Sequence, residues 1–525
     1  MTGIRRNVPA AAADAARDSA GAAPGAGRAL AGMLALVLAG CATDALQQVP
    51  ASPAQPLTPA QGGAPQTGAG AGKSFAVAPD YAAADMDAAP QIPSGKPLGL
   101  PELIDIAQSN NPATRLAWLQ ARQAALSQGL VEATFLPLIS ANVVGGRQRV
   151  GVGLQDNPLP GALRDPAVTV GGVTPAVSLQ WLLFDFGQRG ALREAARHNS
   201  VAANVLFSGA HQKIIFDVTR AYFLYGAARS RTRIAAQTLA NAREIESAAE
   251  ARMASGLGNA VELAQAKQLA AQARFGLVQA QGNESAAYQA LLTAMGVSPT
   301  ARLNIRDASG RALAGSFEAP TEQAIREALA RRPDVLASYR AMQAARAGVK
   351  AAQSEFMPKV FLSAVAAHGT SSLSTTGLPT VGQQGSTTGF LIGATMPLYD
   401  GGLRAAQLRK AEALADSSET VFRRVRADAV REIIVAADTL RSALASYRAA
   451  RELAKAADTT WRAAAAAYKA GTGSITAVAA ADSGLLAARQ AEADAHAASL
   501  VAAASLAFVL GAMNSADVAS GLLAR

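Results

Sequence analysis

Three features of this 525-residue chain carry residue types that could do chemistry. Gly68 to Ser74 reads GAGAGKS, the tail of a phosphate-cradling loop. In the full pattern G-x-x-x-x-G-K-[ST], backbone amides wrap the phosphates and the lysine reaches them. Here its first glycine falls on Thr67 and no strand precedes it, so the loop is excluded. The four histidines, His198, His211, His368 and His496, are scattered. His198 and His211 share a helix-like segment, but a gap of 13 residues (211 − 198) does not make a ligand pair. No H-E-x-x-H or G-x-S-x-G occurs, and the one cysteine, Cys41, can form no intramolecular disulfide. The residues therefore predict no enzyme, no metal site and no cofactor. The formal charge of +10 is spread along the chain without a basic stripe interleaved with aromatics, which argues against nucleic acid.

Cys41 has a different chemistry. Arg28 precedes an apolar run from Ala29 to Leu38, and the run closes in Leu38-Ala39-Gly40-Cys41. The run is too short to span a bilayer but suits a signal-peptide core. The tetrapeptide resembles a bacterial lipobox, in which the cysteine is lipidated and becomes the mature N-terminus. Ala42 rather than aspartate follows it, which under the lipoprotein sorting rule points to the outer membrane. Residues 1–40 are thus expected to be a lipoprotein signal peptide. Residues 41–97, rich in Ala, Pro, Gln and Gly, are expected to be a lipid-anchored flexible linker. No later apolar stretch reaches 18 residues, so no transmembrane helix is expected.

The elements beyond the linker come in two copies. "LFDFGQR" (Leu183 to Arg189) is echoed by "LYDGGLR" (Leu398 to Arg404), and Asp185 and Asp400 are 215 apart (400 − 185). Gly256 of "SGLGN" and Gly471 of "AGTGS" are also 215 apart (471 − 256). Upstream, "NNPA" matches "RRPD" and "FLP" (Phe135 to Pro137) matches "FMP" (Phe356 to Pro358), at an offset of 221 (358 − 137). Four landmarks in order on two constant registers indicate an internal duplication.

Each copy parses alike. A short helix ends before Pro112 or Pro333, and a second of about 24 residues runs to Pro137 or Pro358. Two alternating segments follow. Ile139, Ala141 and Val143 share one face; Val177, Leu179, Trp181 and Leu183 share another, opposed by Ser178 and Gln180. Alternation over about ten residues is the signature of a membrane strand. The predicted strands are 138–153 and 174–184 in the first copy, 359–370 and 387–399 in the second. No proline occurs from Ala176 to Ser298 or from Leu398 to Arg525, so very long helices are permitted. Ile215, Val218, Tyr222 and Tyr225 form a 3-4-3 seam, repeated by Val430, Ile433, Ala437 and Leu440. The helices break at Gly256-Leu257-Gly258-Asn259 and Gly471-Thr472-Gly473-Ser474, where glycine tolerates the positive φ of a tight turn. The helical hairpins are placed at 186–295 and 401–511, and Asp185 and Asp400 at strand-to-helix caps.

Four strands cannot close a membrane barrel, and open edges are not stable in lipid. The predicted fold is therefore mainly α with a transmembrane β part. Three copies would pool a 12-stranded barrel continuous with a hollow α-helical barrel, which the resemblance below places in the periplasm. The segments are repeat 1 at 98–300, an equatorial linker at 301–320, repeat 2 at 321–515 and a C-terminal tail at 516–525.

The chain resembles the TolC-like outer-membrane efflux proteins over roughly residues 98–515. The carriers are the duplicated A-x-x-x-N-P/R-P start (Ala107 to Pro112, Ala328 to Pro333), the LFDFGQR and LYDGGLR signatures and the glycine tips. The resemblance implies a passive exit duct of a tripartite efflux or type I secretion system. It implies a homotrimer in the outer membrane of a Gram-negative bacterium, working with a periplasmic adaptor and an inner-membrane transporter. It makes Gly256, Leu257, Gly258, Asn259, Gly471, Thr472, Gly473 and Ser474 the adaptor-docking tips. It also implies an acidic gate inside the tips. Glu262 matches it, whereas Ala477 and Ala480 take the usual acidic positions of the second hairpin, Gly473 replaces a gate arginine, and Asp482 is two residues out of register. The alternative is a periplasmic coiled-coil scaffold or adaptor, which would lack the strand pairs ahead of each hairpin.

Overall fold

The computed structural model describes residues 53, 81–83, 96–151, 167–307, 310–313, 317–375 and 379–513. Cys41, the signal peptide, nearly all of the linker and the tail at 516–525 lie outside them. Residues 1–88 and 89–525 are separate units, and in the first only a 3-10 turn at Tyr81–Ala83 is described as an element.

In the second unit one element order runs twice. Helices α1 (Leu100–Asn110) and α2 (Pro112–Ala133) lead into strands β1 (Leu138–Gly151) and β2 (Ala167–Phe184). Then come the long helix α3 (Gln188–Ala254) and its return α4 (Ala260–Met295). Helices α5 (Glu322–Leu329) and α6 (Pro333–Ser354), strands β3 (Lys359–Thr375) and β4 (Val381–Thr395), and helices α7 (Leu403–Lys469) and α8 (Ile475–Val509) repeat the order. Pro112 and Pro333 sit at the first position of α2 and α6, where the missing amide costs nothing. Each long helix has 67 residues, about 100 Å at 1.5 Å per residue.

The four strands form one antiparallel sheet in the order β1-β2-β3-β4, so β1 and β4 are both edges. Opposed residues share a face. Ile139 faces Leu179, which faces Ala364, which faces Phe390; Trp181 faces Leu362, which faces Ile392. The reverse face carries Ser140, Ser178, Asn142 and Gln180, and the Ser140 and Ser178 hydroxyls meet at 2.8 Å. Near the helices the sheet is thus apolar on one side and largely polar on the other, while the outer part of the first side carries polar residues such as His368, Thr370 and Ser386.

β2, β3 and β4 are longer than the alternation predicts. β2 starts at Ala167 rather than 174, and β3 runs to Thr375 rather than 370. β4 occupies Val381–Thr395 rather than 387–399, leaving Met396 to Tyr399 outside it. Pro175 makes its surroundings read as loop, yet it lies inside β2 opposite Val143. It has no amide to donate, and the β2–β3 pairing skips Thr174 and Pro175 before resuming at Ala176. The glycine and serine content of the outer halves hides strands that their neighbours hold in register.

The main core lies near mid-length of the helices. Leu103 and Ile104 of α1, Val218 and Phe223 of α3, Leu291 and Met295 of α4, Leu440 of α7 and Leu500 of α8 are fully buried together. The predicted seams run through this region: Ile215, Val218, Tyr222, Ala437 and Leu440 are buried in the cluster and Tyr225 packs on it, while Ile433 is buried outside it and Val430 is half-buried. Tyr222 and Arg229 bond the carbonyls of Arg306 and Ile305, and Leu98 pairs with Ile305, so the segment after α4 is tied into the core. A smaller cluster near the hairpin ends holds Ile245, Ala249, Ala266, Ala465, Tyr468, Ile475 and Val478.

Candidate functional site

The hairpin tips are two copies of one turn. Gly256 (φ +74°) and Gly471 (φ +81°) end the long helices in the left-handed region. The amides of Leu257 and Gly258 both donate to the Arg252 carbonyl at 2.9 Å; those of Thr472 and Gly473 donate to the Ala467 carbonyl at 2.9 and 3.0 Å. Asn259 and Ser474 then cap α4 and α8, accepting from the amides of Glu262 and Ala477. The second glycine of each tip has its own cause. A Cβ on Gly258 would stand 3.1 Å from the Met253 nitrogen, and one on Gly473 would stand 2.9 Å from the Tyr468 nitrogen. One glycine supplies the backbone angle and the other supplies room.

A side chain that the sequence did not single out joins the tips. Arg252 donates to the carbonyl of Leu257 in its own tip (3.3 Å) and to that of Tyr468 beside the other (3.4 Å). Its guanidinium lies over the Tyr468 ring, 5.3 Å from the centroid, and its Nε is 4.0 Å from a Glu262 oxygen. Tyr468 is fully buried, and burial raises its pKa, with Glu262 adding to the rise. A lone tyrosine three residues before Gly471 in an alanine-rich helix was the available signal.

The two acids inside the tips are not brought together. Glu262 is half-buried and faces Arg252. Asp482 is buried on α8, with the Asn241 amide at 3.4 Å on α3. Burial pushes its carboxyl pKa up, against the pull of Asn241 and Arg489.

At the opposite end of the long helices, each strand turns into its helix around an aspartate and an arginine. The helix cap position itself is taken by Gly187 (φ +92°) and Gly402 (φ +89°), with the aspartate two residues earlier. Asp185 accepts from the amides of Gly187 (3.2 Å) and Arg189 (2.9 Å) and from Arg189 Nε (2.7 Å). Burial works to raise its pKa, but these bonds and the Arg189 charge outweigh it, and the carboxyl is held low. Asp400 repeats the bonds with Gly402 and Arg404, and the Arg404 side chain holds its carboxyl low. Arg189 lies over Phe135 at 4.8 Å and Arg404 over Phe356 at 5.2 Å. The FLP/FMP and D-x-x-x-R landmarks, 221 and 215 apart, therefore touch in both copies.

The histidines sit apart. His198 is near Glu194 at 3.9 Å, His211 stacks edge-on against Phe207, and His496 bonds the Arg311 carbonyl at 2.7 Å. Among the described residues no cluster of three metal-ligating side chains exists, and no helix is long and apolar enough to cross a membrane.

A family profile described as outer membrane efflux protein matches residues 103–297 and 324–512, one segment in each run of elements. Outer membrane protein OprJ of Pseudomonas aeruginosa is 29% identical over 378 residues, 71% of this chain and 75% of that protein. Protein CyaE of Bordetella pertussis is 27% identical over 394 residues, 75% of this chain and 80% of that protein. The crystal structure of a membrane protein from Pseudomonas aeruginosa superposes with a TM-score of 0.66 at 26% identity, covering 78% of this chain and 93% of that one. The matched segments contain both glycine tips and both strand-to-helix corners, and the chain belongs to the outer membrane efflux protein family, as an outer-membrane channel of efflux or secretion systems and not an enzyme.

Proposed function

We propose that three copies of this chain pool their sheets into a 12-stranded barrel and their helices into a hollow periplasmic cylinder. The observation that carries this is the four-stranded sheet, apolar on one face and unpaired at β1 and β4. Unsatisfied edge groups are costly in lipid, and β4 of one copy beside β1 of the next removes them.

The helices support the same ring. α6 lies between α3 and α7, whereas α2 packs along α3 and makes no comparable seam with α7 in its own chain. Shifting by 221 pairs Leu126 with Ala347 and Leu130 with Ala351. The alanines are 2% and 5% exposed; the leucines are 63% and 73% exposed. Covering them with α7 of the next copy makes the ring equivalent all round. Cysteines placed on the same face of β1 and β4, such as Val143→Cys and Thr388→Cys, should cross-link between copies into a trimer. Cross-linking only within a chain would overturn the ring.

The two tips are the docking surface for a periplasmic adaptor that links the duct to an inner-membrane transporter. Leu257 stands 73% exposed at the first tip, an apolar side chain with no cover of its own. Lipidation of Cys41 anchors the chain to the outer membrane from the periplasmic side. Of the acids, Glu262 is the one assigned to the entrance, because its carboxylate is partly open while Asp482 is closed over. Glu262→Ala should weaken blockade of single-channel conductance by divalent cations; unchanged blockade would remove the gate.

A further inference from the structure

We propose that Arg147 and Arg149 form a binding site for the phosphate groups of a glycolipid in the outer leaflet. The inference rests on the barrel reading above. Both arginines lie on β1 and are exposed, and neither has an ion-pair partner among the described residues.

Their face follows from the ladder. Ile139, Ala141 and Val143 are on the apolar face, and side chains alternate, so positions 145, 147 and 149 continue that face. Arg147 is opposite Gly171, which is opposite Ser372; Arg149 is opposite Thr169, which is opposite Ser374. A Cβ on Gly171 would stand 3.3 Å from Arg147 Cγ, so the glycine leaves room for the arginine stem along the sheet. The surface directly above the apolar residues is therefore cationic and hydroxyl-bearing.

Its height follows from the register. Trp181, at the helix-proximal end of the same face, bonds the Phe135 carbonyl at 2.8 Å, the posture of an interfacial tryptophan. From Trp181 to Gly171, level with Arg147, is 10 residues (181 − 171). At about 3.3 Å per residue and a tilt of about 40°, that is ~25 Å of height, the depth of a barrel's apolar band. The arginines thus stand at the outer interface, on the side away from the helices. The four strands contain no aspartate or glutamate, so nothing on them opposes an anion. Guanidinium groups suit phosphate because they offer paired donors in a plane. In the trimer the site recurs three times, on the strand that borders the neighbouring copy.

The test uses the full mature protein purified in detergent and inserted into phosphatidylcholine vesicles. Binding of bisphosphorylated lipid A, of its dephosphorylated form and of inorganic phosphate is compared for the natural chain, Arg147→Ala/Arg149→Ala and Arg147→Lys/Arg149→Lys. Bisphosphorylated lipid A should bind at least tenfold tighter than the dephosphorylated form. The alanine pair should abolish that difference, and the lysine pair should keep most of it. Lys359→Ala, at the other end of the sheet, should change nothing. Equal affinity of the natural chain and the alanine pair would overturn the site. Displacement of the lipid by equimolar inorganic phosphate would overturn the lipid as its ligand. Vesicle insertion and conductance are read separately. If the natural chain inserts and conducts but shows no phosphate preference, this inference alone fails; if it does not insert, the barrel reading fails and takes the site with it.

Discussion

The two strand-to-helix corners have the same local chemistry and different surroundings. Asp185 and Arg189 are buried, and Arg189 also donates to the Thr134 carbonyl at 2.8 Å. The corner is closed from outside by the end of α6: Ser354 bonds the Phe186 carbonyl and Gln188 bonds Glu355. Phe186 holds φ +51°, an unusual angle for a phenylalanine, with its carbonyl bonded by Ser354 and its side chain half exposed. In the second copy Gly401 takes the position at φ +66°, and Asp400 and Arg404 are more open. Among the described residues no hydrogen bonds equivalent to those of Ser354 and Gln188 cover the second corner. A local motif can thus be complete in both copies while its tertiary cover differs between them.

Removing the arginines breaks this comparison most strongly. Arg189→Ala would leave the Asp185 carboxylate buried without its cation, at a cost of about 3–5 kcal/mol. Arg404→Ala should cost nearly as much in the assembled trimer and much less in dissociated protomers. Thermal unfolding in detergent, above and below the concentration at which trimers dissociate, measures both. A mild Arg404→Ala effect in the trimer would mean that the neighbouring copy does not close the second corner.

The tips give the next largest contrast. Gly258→Ala and Gly473→Ala both press a methyl against backbone, and overpacking of that kind costs about 1–3 kcal/mol. Gly473 is the tighter site, with backbone atoms at 2.9 and 3.0 Å against 3.1 and 3.2 Å at Gly258. Hydrogen exchange of the tip amides should rise more for Gly473→Ala. The reverse order would show that the Arg252 bridge, not the turn, governs the tips.

These contrasts separate what could be read in the chain from what could not. The return helix Ala260–Met295 and both tips were legible because proline-free runs and paired glycines act locally. The apolar face of the sheet was legible from alternation alone. Pro175 hid the start of β2, because a proline in a central strand is tolerated only when both neighbours continue the register around it. Arg252 and Tyr468 escaped notice because they lie 216 residues apart (468 − 252) and neither belongs to a motif. Burial of Asp482 depends on α3 crossing α8, which nothing near residue 482 encodes.

Asp185 and Asp482 should also titrate stability in opposite senses. Asp185 has a lowered pKa in the folded chain, so its contribution is present above an unfolded value of about 3.9 and is lost as pH falls through the folded one. Asp482 has a raised pKa, so its stability is present below about pH 3.9 and is lost as pH rises through the folded value. Asp482→Asn should therefore stabilise at neutral pH and be without effect below about pH 4. A destabilising Asp482→Asn at neutral pH would mean that the carboxylate is held charged by a partner from the neighbouring copy.

The smallest effect tests the seam between the hairpins. Within the chain, Arg231 of α3 forms a bidentate pair with Asp494 of α8 at 2.7 and 2.6 Å. Shifting each by 215 gives Ser446 of α7 and Gln279 of α4, so in the proposed ring the equivalent pairing between copies would not be ionic. The pair is substantially exposed on both sides, so Arg231→Ala should cost under ~1 kcal/mol and less at high salt. The salt dependence of unfolding should be smaller in Arg231→Ala by the share of this one pair, while the other in-chain pairs, such as Lys469 with Glu244, keep the rest. An unchanged salt dependence in that variant would mean that the Arg231–Asp494 pair contributes nothing measurable to the seam.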